Sequence, residues 1–391
     1  MPEASQMSPT LTASETRSGL LRSYDGQRHC PRLHWGIMLP EDLHAALARI
    51  LAHSPAFPGE SLVVDLVANP RAGGFTRPAY TRRRFAELAG IEARALALPE
   101  RKGRVEVRLH LTERSGHASE IAAGIVGDAE ADAPDTRRIL MTAGGDGTSL
   151  ETASVLADLS GAEGSRFAIL RLPFGTGNDG SEGRDLAAAL GRLLGPLRYA
   201  PRQALRLVPN PAGGRRPLWS FNIASVGLDA FVCRMTNRLK SFFPGDSYKL
   251  WVDLSSVLYD LVWPPANLRV MAQDGEGRET ADFERRCLLF AVGASGRRTY
   301  GSNKPILPDD DNACAVFQMS LLKKLVLKDR ISSGGHRGLD VVRLFSGTRF
   351  VLEYPTSILL QRDGEVDELG AADFPLEIEV VGPVYNVLER A

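Results

Sequence analysis

Three short glycine-rich segments, each directly after an apolar run, constrain the fold of this chain more than any other feature. They are residues 69–74 (NPRAGG), 144–148 (GGDGT) and 173–179 (PFGTGND). Helical patterns follow the turns, so strands and helices alternate at the spacing of parallel crossover units. Ligands bind beyond the carboxyl ends of the strands in such sheets, and all three turns fall at such ends.

The chain divides into two parts where the alternation of strands and helices ends. The alternation predicts a Rossmann-like α/β domain over residues 61–200. Short strand candidates such as ALRLVPN, NLRVMAQ and TRFVLEYP dominate afterwards, which predicts an antiparallel β domain over residues 201–391. Residues 1–60 are predicted to be an N-terminal extension, partly flexible, with an amphipathic helix beginning at Pro40. Two domains also suit 391 residues, which exceed what one core usually supports.

Composition excludes several classes of protein. Lys plus Arg and Asp plus Glu number 47 each, so there is no overall field that would hold nucleic acid. The four cysteines lie far apart, without zinc-ligand spacing or the density of a disulfide scaffold. The N-terminus lacks a secretory signal, and no apolar run reaches the length of a membrane span. We therefore expect a cytoplasmic protein without a transmembrane segment.

The second turn is the most informative of the three. Three glycines surround the single carboxylate of Asp146 where a strand gives way to a helix. Backbone amides and a helix N-terminus favour anionic phosphate there, and an aspartate in that field suits Mg²⁺ or proton transfer better than stability alone. An N-cap role for Asp146 would not require three glycines. The first and third turns are weak signals by themselves, because such turns also serve simply to end a strand.

Five segments in this order resemble the diacylglycerol kinase catalytic family, which includes sphingosine and ceramide kinases and bacterial lipid kinases. They are NPRAGG at 69–74, GGDGTSLE at 144–151, PFGTGND at 173–179, NIASVGLDA at 222–230 and QRDGE at 361–365. The resemblance implies an α/β domain that holds ATP, a β-sandwich domain that holds lipid, and an active site in the cleft between them. NAD kinases and phosphofructokinases share GGDG-type turns but would not be expected to carry GTGND downstream.

The resemblance also implies the residues of the site. Those expected around the nucleotide are Asn69, Gly73, Gly74, Gly144, Gly145, Gly147, Thr148, Glu151, Gly175, Thr176, Gly177 and Asn178. Glu151 could equally be a solvated glutamate favoured by the helix dipole. Asp146, Asp363 and Glu365 are the catalytic candidates; without the family, the segment around Asp363 is simply a charged hairpin. The implied reaction is in-line transfer of the γ-phosphoryl group of ATP, with Mg²⁺ and with catalysis largely by positioning and charge stabilisation.

The sequence departs from the family in two places. Bacterial relatives have an Asp-Gly pair near position 312, where this chain has Asn312-Ala313. Asp309 is the metal candidate of this segment, although a surface turn explains its acidic run equally well. An acidic residue that holds the amine in sphingosine kinases is matched only out of register by Asp229. The apolar stretch 242–263 could line an acyl-chain pocket or touch a bilayer, but core packing is the default interpretation.

Three functions remain open from sequence. The first is a kinase of a lipid hydroxyl, diacylglycerol-like or sphingoid, acting from the cytoplasm at the membrane surface. The second is a kinase of a soluble alcohol on the same scaffold. The third is a nucleotide-binding protein that has lost catalysis, as the altered segment near Asn312 would allow. No nucleic-acid partner is expected, and the sequence leaves a homodimer open.

Overall fold

The computed structural model describes residues 38–159, 164, 166–175, 183, 185–239, 259–300, 305–324, 330 and 333–391. The helices with defined bounds in these residues are α1 (Pro40–Ala52), α2 (Gly73–Thr76), α3 (Pro78–Leu96), α4 (His117–Asp128), α5 (Asp146–Ala157), α6 (Leu186–Leu190) and α7 (Leu228–Leu239). Short 3-10 helices cover Ala129–Ala131, Gly191–Leu194, Pro211–Gly213 and Ala371–Asp373.

The strands run in chain order through both halves of the fold. They are β1 (Ser61–Ala68), β2 (Val105–Leu111), β3 (Thr136–Gly144), β4 (Phe167–Pro173), β5 (Leu197–Val208), β6 (Leu218–Ser220), β7 (Ile223–Gly227), β8 (Asn267–Gln273), β9 (Glu279–Gly293), β10 (Ala313–Phe317), β11 (Val342–Phe345), β12 (Arg349–Glu353), β13 (Ile358–Arg362), β14 (Glu365–Leu369) and β15 (Leu376–Arg390).

The first four strands form a parallel sheet in the order β4-β3-β1-β2. Strand β1 is buried along almost its whole length, as expected of a strand covered by helices on both faces. Its side chains alternate between two cores: Val64 and Leu66 pack in one with residues of α1 and α3, whereas Val67 packs in the other with residues of α4 and α5. The predicted crossover units are therefore present.

The remaining strands are antiparallel and enclose a core of their own, in which Phe290, Phe345 and Phe350 pack together. The long strand β9 joins its parts, because its first half pairs with β8 and its second half with β7 and β10. Parallel strands followed by antiparallel strands confirm the predicted fold class.

The last strand ties the two halves together. Strand β15 pairs with β12 and β5 in antiparallel fashion, and near its end Val387 pairs with Ile169 of β4 in parallel fashion. Contacts join residues Gly36–Ala391 into one unit. A domain boundary at residue 200 stays a prediction.

Two local expectations need comment. Helix α7 was not predicted, because its apolar residues are interrupted by Arg234, Asn237 and Arg238. Most of the apolar stretch 242–263 falls outside the described residues, which resume at Tyr259. In the described part of the chain, no helix has both the length and the apolar character needed to cross a membrane.

Candidate functional site

The three glycine-rich turns lie side by side, because β1, β3 and β4 are neighbours and point the same way. The N–H of Asn69, in the first turn, donates to Ala143 O at the end of β3 (2.9 Å). The N–H of Gly74 donates to the carbonyl of Phe174 in the third turn (2.8 Å). The sheet order thus brings the turns together without a long connection.

Gly74 and Gly73 differ in what surrounds them. A Cβ at position 74 would lie 2.5 Å from the ring of Phe174, which stacks on Phe75 at 4.4 Å between centroids. A Cβ at position 73 would meet only the flexible side chain of Arg77, at 3.6 Å. Packing of the first turn against the third therefore requires glycine at position 74 and leaves room at position 73.

The second turn places backbone and carboxylate at a helix N-terminus. Gly145 is the N-cap of α5 and Asp146 its first residue. A Cβ at Gly144 would lie 2.5 Å from Thr148 Oγ1, whereas a Cβ at Gly145 would meet none of the described residues beyond its chain neighbours within 4 Å. Protein packing thus explains Gly144 and does not explain Gly145. An open glycine at a helix N-terminus lets a phosphate approach the backbone.

The predicted DGE segment reaches this turn from the far end of the sequence. Asp363 and Gly364 form the two-residue turn between β13 and β14, both with positive φ (48° and 93°), as type I′ hairpins require. Asp146 Oδ2 lies 3.3 Å from where a Cβ of Gly364 would be. Glu365 Oε1 lies 2.7 Å from the position of a Cβ at Gly147, so its carboxylate packs against the backbone of this turn.

The two acidic residues of this hairpin have different surroundings. The carboxylate of Asp363 is buried and accepts four hydrogen bonds, from Ser220 Oγ (2.9 Å) and from the N–H groups of Phe221 (2.5 Å), Asn222 (2.9 Å) and Ile223 (3.1 Å). This network fixes the segment between β6 and β7 and uses the acceptor capacity of the carboxylate. Asp363 therefore anchors the hairpin that carries Glu365.

Glu365 is exposed to solvent at the cleft, yet the protein around it raises the pKa of its carboxyl group. Desolvation is the main cause, and the nearby carboxylates of Glu151 and Asp367 add to it. The charge of Arg362 and the N–H of Gly147 oppose the shift. A glutamate with a raised pKa can exchange a proton closer to neutral pH than an ordinary one.

Glu151 has a structural task. Its two carboxylate oxygens accept from the N–H groups of Gly116 (2.8 Å) and Ala118 (3.2 Å), at the start of α4. The N-cap of α4 is Gly116, in the left-handed region at φ 80° and without a side-chain cap. Glu151 supplies the missing acceptor from α5, so it is not a freely solvated glutamate.

A cleft of about 430 Å³ opens between the turns and the hairpin. Its walls include the predicted residues Asn69, Gly147, Thr148, Glu151 and Glu365. Sequence reasoning missed the other polar residues on its walls, which are Arg71, Thr112, Glu113, Arg114, Ser115, Arg362 and Asp367. The loop after β2 could have been anticipated, since β2 is parallel to β1 and ends at the same edge of the sheet.

Arg71 is the most notable of these additions. Asn69 Oδ1 accepts from the N–H of Arg71 (2.9 Å), which fixes the first turn. Among the described residues the Arg71 guanidinium has no ion-pair partner, whereas Arg362 is held by Asp367 at 2.7 and 3.0 Å and Arg114 by Glu120 at 2.7 Å. Arg71 is thus a cation at the cleft that no carboxylate of the described residues neutralises.

The third turn is described as far as Gly175. Gly175 follows the buried Phe174 and is itself buried. Thr176, Gly177 and Asn178 lie outside the described residues.

Asp309 does not line the cleft. Its carboxylate pairs with Arg337 (3.4 Å) and accepts from the N–H of Asp311 (3.2 Å). The buried Asn312 side chain donates to Gly293 O (3.3 Å) and Gly347 O (2.9 Å) and accepts from the N–H of Gly347 (3.0 Å). Asn312, where the sequence departs from the family, therefore joins the segments at Gly293 and Gly347 by hydrogen bonds.

The donor set at the cleft fits a magnesium nucleotide better than a metal held by protein alone. Within the described residues no group of three or more His, Cys, Asp or Glu side chains could hold a metal ion. Mg²⁺ in kinases takes only one or two protein carboxylates and completes its shell with phosphate and water. Asp146 and Glu365, beside the open backbone of Gly145, meet that requirement.

The sequence matches the model of one known family. Residues 66–191 match the diacylglycerol kinase catalytic domain, which confirms the resemblance found from the motifs. No curated protein matches the chain.

Two solved structures share the fold, and both are named as a "putative diacylglycerol kinase" from Bacillus anthracis str. Sterne. One is 17% identical, with a TM-score of 0.53 over 84% of this chain and 96% of that one. The other is 18% identical, with a TM-score of 0.52 over 84% and 97%. At these identities the likeness establishes the fold.

Proposed function

We propose that this chain, with its diacylglycerol kinase-like segment 66–191, is an ATP-dependent kinase that transfers a phosphoryl group to a lipid hydroxyl. The observation that carries the proposal is the packing of the β13–β14 hairpin against the N-terminus of α5: Asp146 Oδ2 lies 3.3 Å from the Cβ position of Gly364, and Glu365 Oε1 lies 2.7 Å from that of Gly147. Phosphoryl transfer needs little besides positioned phosphates, charge stabilisation and an oriented acceptor, and this arrangement offers each of them.

ATP is proposed to bind with its phosphates against the first and second turns. The N-terminus of α5 favours negative charge, and the open backbone at Gly145 lets a phosphate approach it. Arg71 adds a cation that no described carboxylate neutralises, and guanidinium groups suit phosphate oxygens. The predicted nucleotide residues 176–178 remain part of this proposal.

Two carboxylates are assigned different roles. Asp146, at the helix N-terminus, is proposed to hold Mg²⁺, which would neutralise charge on the transferred phosphate. Glu365 is proposed to accept the proton of the acceptor hydroxyl, because its pKa is raised and its carboxylate packs against Gly147 at the N-terminus of α5. Asp363 is proposed to position Glu365 rather than to act as the base, because four donors already occupy its carboxylate.

The acceptor is proposed to approach from the opposite side of the β13–β14 hairpin. A second cleft of about 470 Å³ lies there, lined by Glu365, Val366 and Asp367 and by Arg234, Asn237 and Arg238 of α7. Glu365 belongs to both clefts, so a hydroxyl in the second would face phosphates in the first. In this arrangement the α/β part, residues 61–200, holds ATP, and residues 201–391 present the acceptor.

The test is transfer of labelled phosphate from ATP and Mg²⁺ into mixed micelles of diacylglycerol, sphingosine, ceramide or phosphatidylglycerol. Wild type should label at least one lipid, and Asp146→Asn and Glu365→Gln should reduce the rate by about 10² or more. Glu353→Gln, an exposed position on β12, is the matched control and should keep full activity.

Two other outcomes of this experiment would support a different function. Labelling of short water-soluble alcohols with no preference for lipid would indicate a kinase of soluble acceptors. ATP binding without transfer to any acceptor would indicate a nucleotide-binding protein that has lost catalysis.

A further inference from the structure

Exposed apolar side chains are concentrated at one place on the surface. Leu261 and Leu322 are the most exposed large hydrophobic residues of the described chain, at 79% and 77%, and Val262 and Leu321 beside them are 59% and 46% exposed. The stretch around residue 261 was expected to be core. Trp263 does pack against a buried cluster, but Leu261 and Val262 face solvent.

The two pairs lie next to each other although sixty residues separate them in sequence. Asp260 Oδ2 accepts from Lys324 Nζ (2.5 Å) and from Gln318 Nε2 (2.9 Å). These bonds join the segment that carries Leu261 and Val262 to the segment that carries Leu321 and Leu322. We name these four residues the apolar patch.

Cationic side chains border the apolar patch. Lys323 is exposed within it. The N–H of Gln318 donates to Arg286 O (2.8 Å), which brings the exposed Arg285 and Arg286 to the same region. The Arg285 guanidinium lies 3.9 Å from the centroid of the Phe317 ring. Apolar side chains with a cationic border suit a surface that is itself apolar inside and anionic outside.

The apolar patch is connected to the proposed acceptor cleft by direct packing. Tyr259, next to Asp260, packs against Phe231 of α7 with ring centroids 5.4 Å apart. Two residues further along α7, Cys233 Sγ donates to the carbonyl of Gly364 (3.0 Å), in the hairpin that carries Glu365. A surface bound at the patch would therefore lie beside the helix that lines the acceptor cleft.

We propose that the apolar patch docks the protein on the surface of a lipid bilayer that contains anionic lipid. A second copy of the chain fits the patch less well, because a symmetric contact would bring Lys323, Arg285 and Arg286 against their own copies. The inference rests on the proposed lipid kinase for its purpose, but docking needs no catalysis and is measured without ATP.

The test is flotation of the full chain with vesicles of phosphatidylcholine alone or with phosphatidylglycerol. Wild type should float with the anionic vesicles and should dissociate as salt is raised. Leu261→Glu combined with Leu322→Glu should weaken binding about tenfold or more, because the buried apolar area is lost. Lys323→Glu should weaken binding to anionic vesicles about fivefold and leave the weak binding to neutral vesicles unchanged.

Leu96→Glu is the matched control, because Leu96 is 51% exposed at the end of α3 and outside the patch. It should float like wild type. Vesicle binding by the double variant equal to wild type, or sedimentation showing that it only converts a dimer to a monomer, would overturn the proposal. Normal docking without phosphorylation of any lipid would support docking and count against the kinase assignment alone.

Discussion

The carboxylate of Glu365 lies against the backbone of Gly147, so close that a Cβ at position 147 would lie 2.7 Å from Glu365 Oε1. The contact joins the first helix turn of the α/β part to the last hairpin of the antiparallel part. The glycine at position 147 is therefore explained by the space that the Glu365 carboxylate occupies and not by the conformation of the turn.

Replacing Gly147 with alanine should therefore displace Glu365. A shift of about 1 Å in a positioned group costs about 10² in rate, so we expect kcat to fall by that order while ATP affinity changes less. Steady-state kinetics together with direct nucleotide binding would separate the two effects. Gly124→Ala is the control, since a Cβ there meets nothing within 4 Å on the exposed side of α4. The control should raise stability by about 0.5–1 kcal/mol and leave kcat unchanged.

Gly145 and Gly74 should respond to alanine in opposite ways. At position 145 the new methyl contacts no other part of the described chain, so the melting temperature should hold while ATP affinity falls, because the methyl enters the space proposed for phosphate. At position 74 it collides with the Phe174 ring, so the melting temperature should drop. Thermal unfolding and nucleotide titration of both variants provide the check. Unchanged ATP affinity in Gly145→Ala would remove the main support for phosphate binding at that turn.

The sequence predicted the parts of this site that depend on strand order and glycine pattern. Turns after β1, β3 and β4 had to meet, because parallel neighbours end at one edge of a sheet. The GGDG-type turn and the DGE segment were both recognised, but their contact depends on the path of β7, β9 and β13 across the antiparallel part. No local pattern encodes such long-range pairing.

Side-chain roles were harder to predict than positions. Asp363 and Glu365 are equivalent in sequence, and only the four donors from residues 220–223 distinguish an anchoring carboxylate from an available one. Likewise, nothing near Glu151 in sequence indicates that it caps α4, since the N–H groups of Gly116 and Ala118 come from a separate crossover unit.

The raised pKa of Glu365 predicts a pH signature in both rate and stability. The base must be ionised, so kcat/KM should fall on the acid side around a pKa above that of an ordinary glutamate, and Glu365→Gln should abolish this limb. A carboxyl group whose pKa is raised in the folded state stabilises the fold at pH values below the ordinary pKa of glutamate. This stabilisation is lost as the pH rises through the raised pKa. Wild type should therefore lose stability relative to Glu365→Gln over that rise. If kcat/KM and the free energy of unfolding depended on pH in the same way in wild type and Glu365→Gln, Glu365 would not be the titrating group.

Asp363→Asn distinguishes an anchoring role from a catalytic one. Asparagine tolerates the left-handed conformation at φ 48°, so the turn itself is not strained. The amide removes the charge and turns an NH₂ toward N–H donors, which should lower the free energy of unfolding by about 3 kcal/mol in denaturant titrations. Asp310→Asn, which removes only an exposed ion pair with Arg297, should leave it unchanged. The kcat of the folded fraction, measured at low temperature, decides the role. If Asp363 is an anchor, kcat should decrease modestly and in step with the loss of stability. If Asp363 is the base, kcat should fall by 10² or more while stability is unchanged.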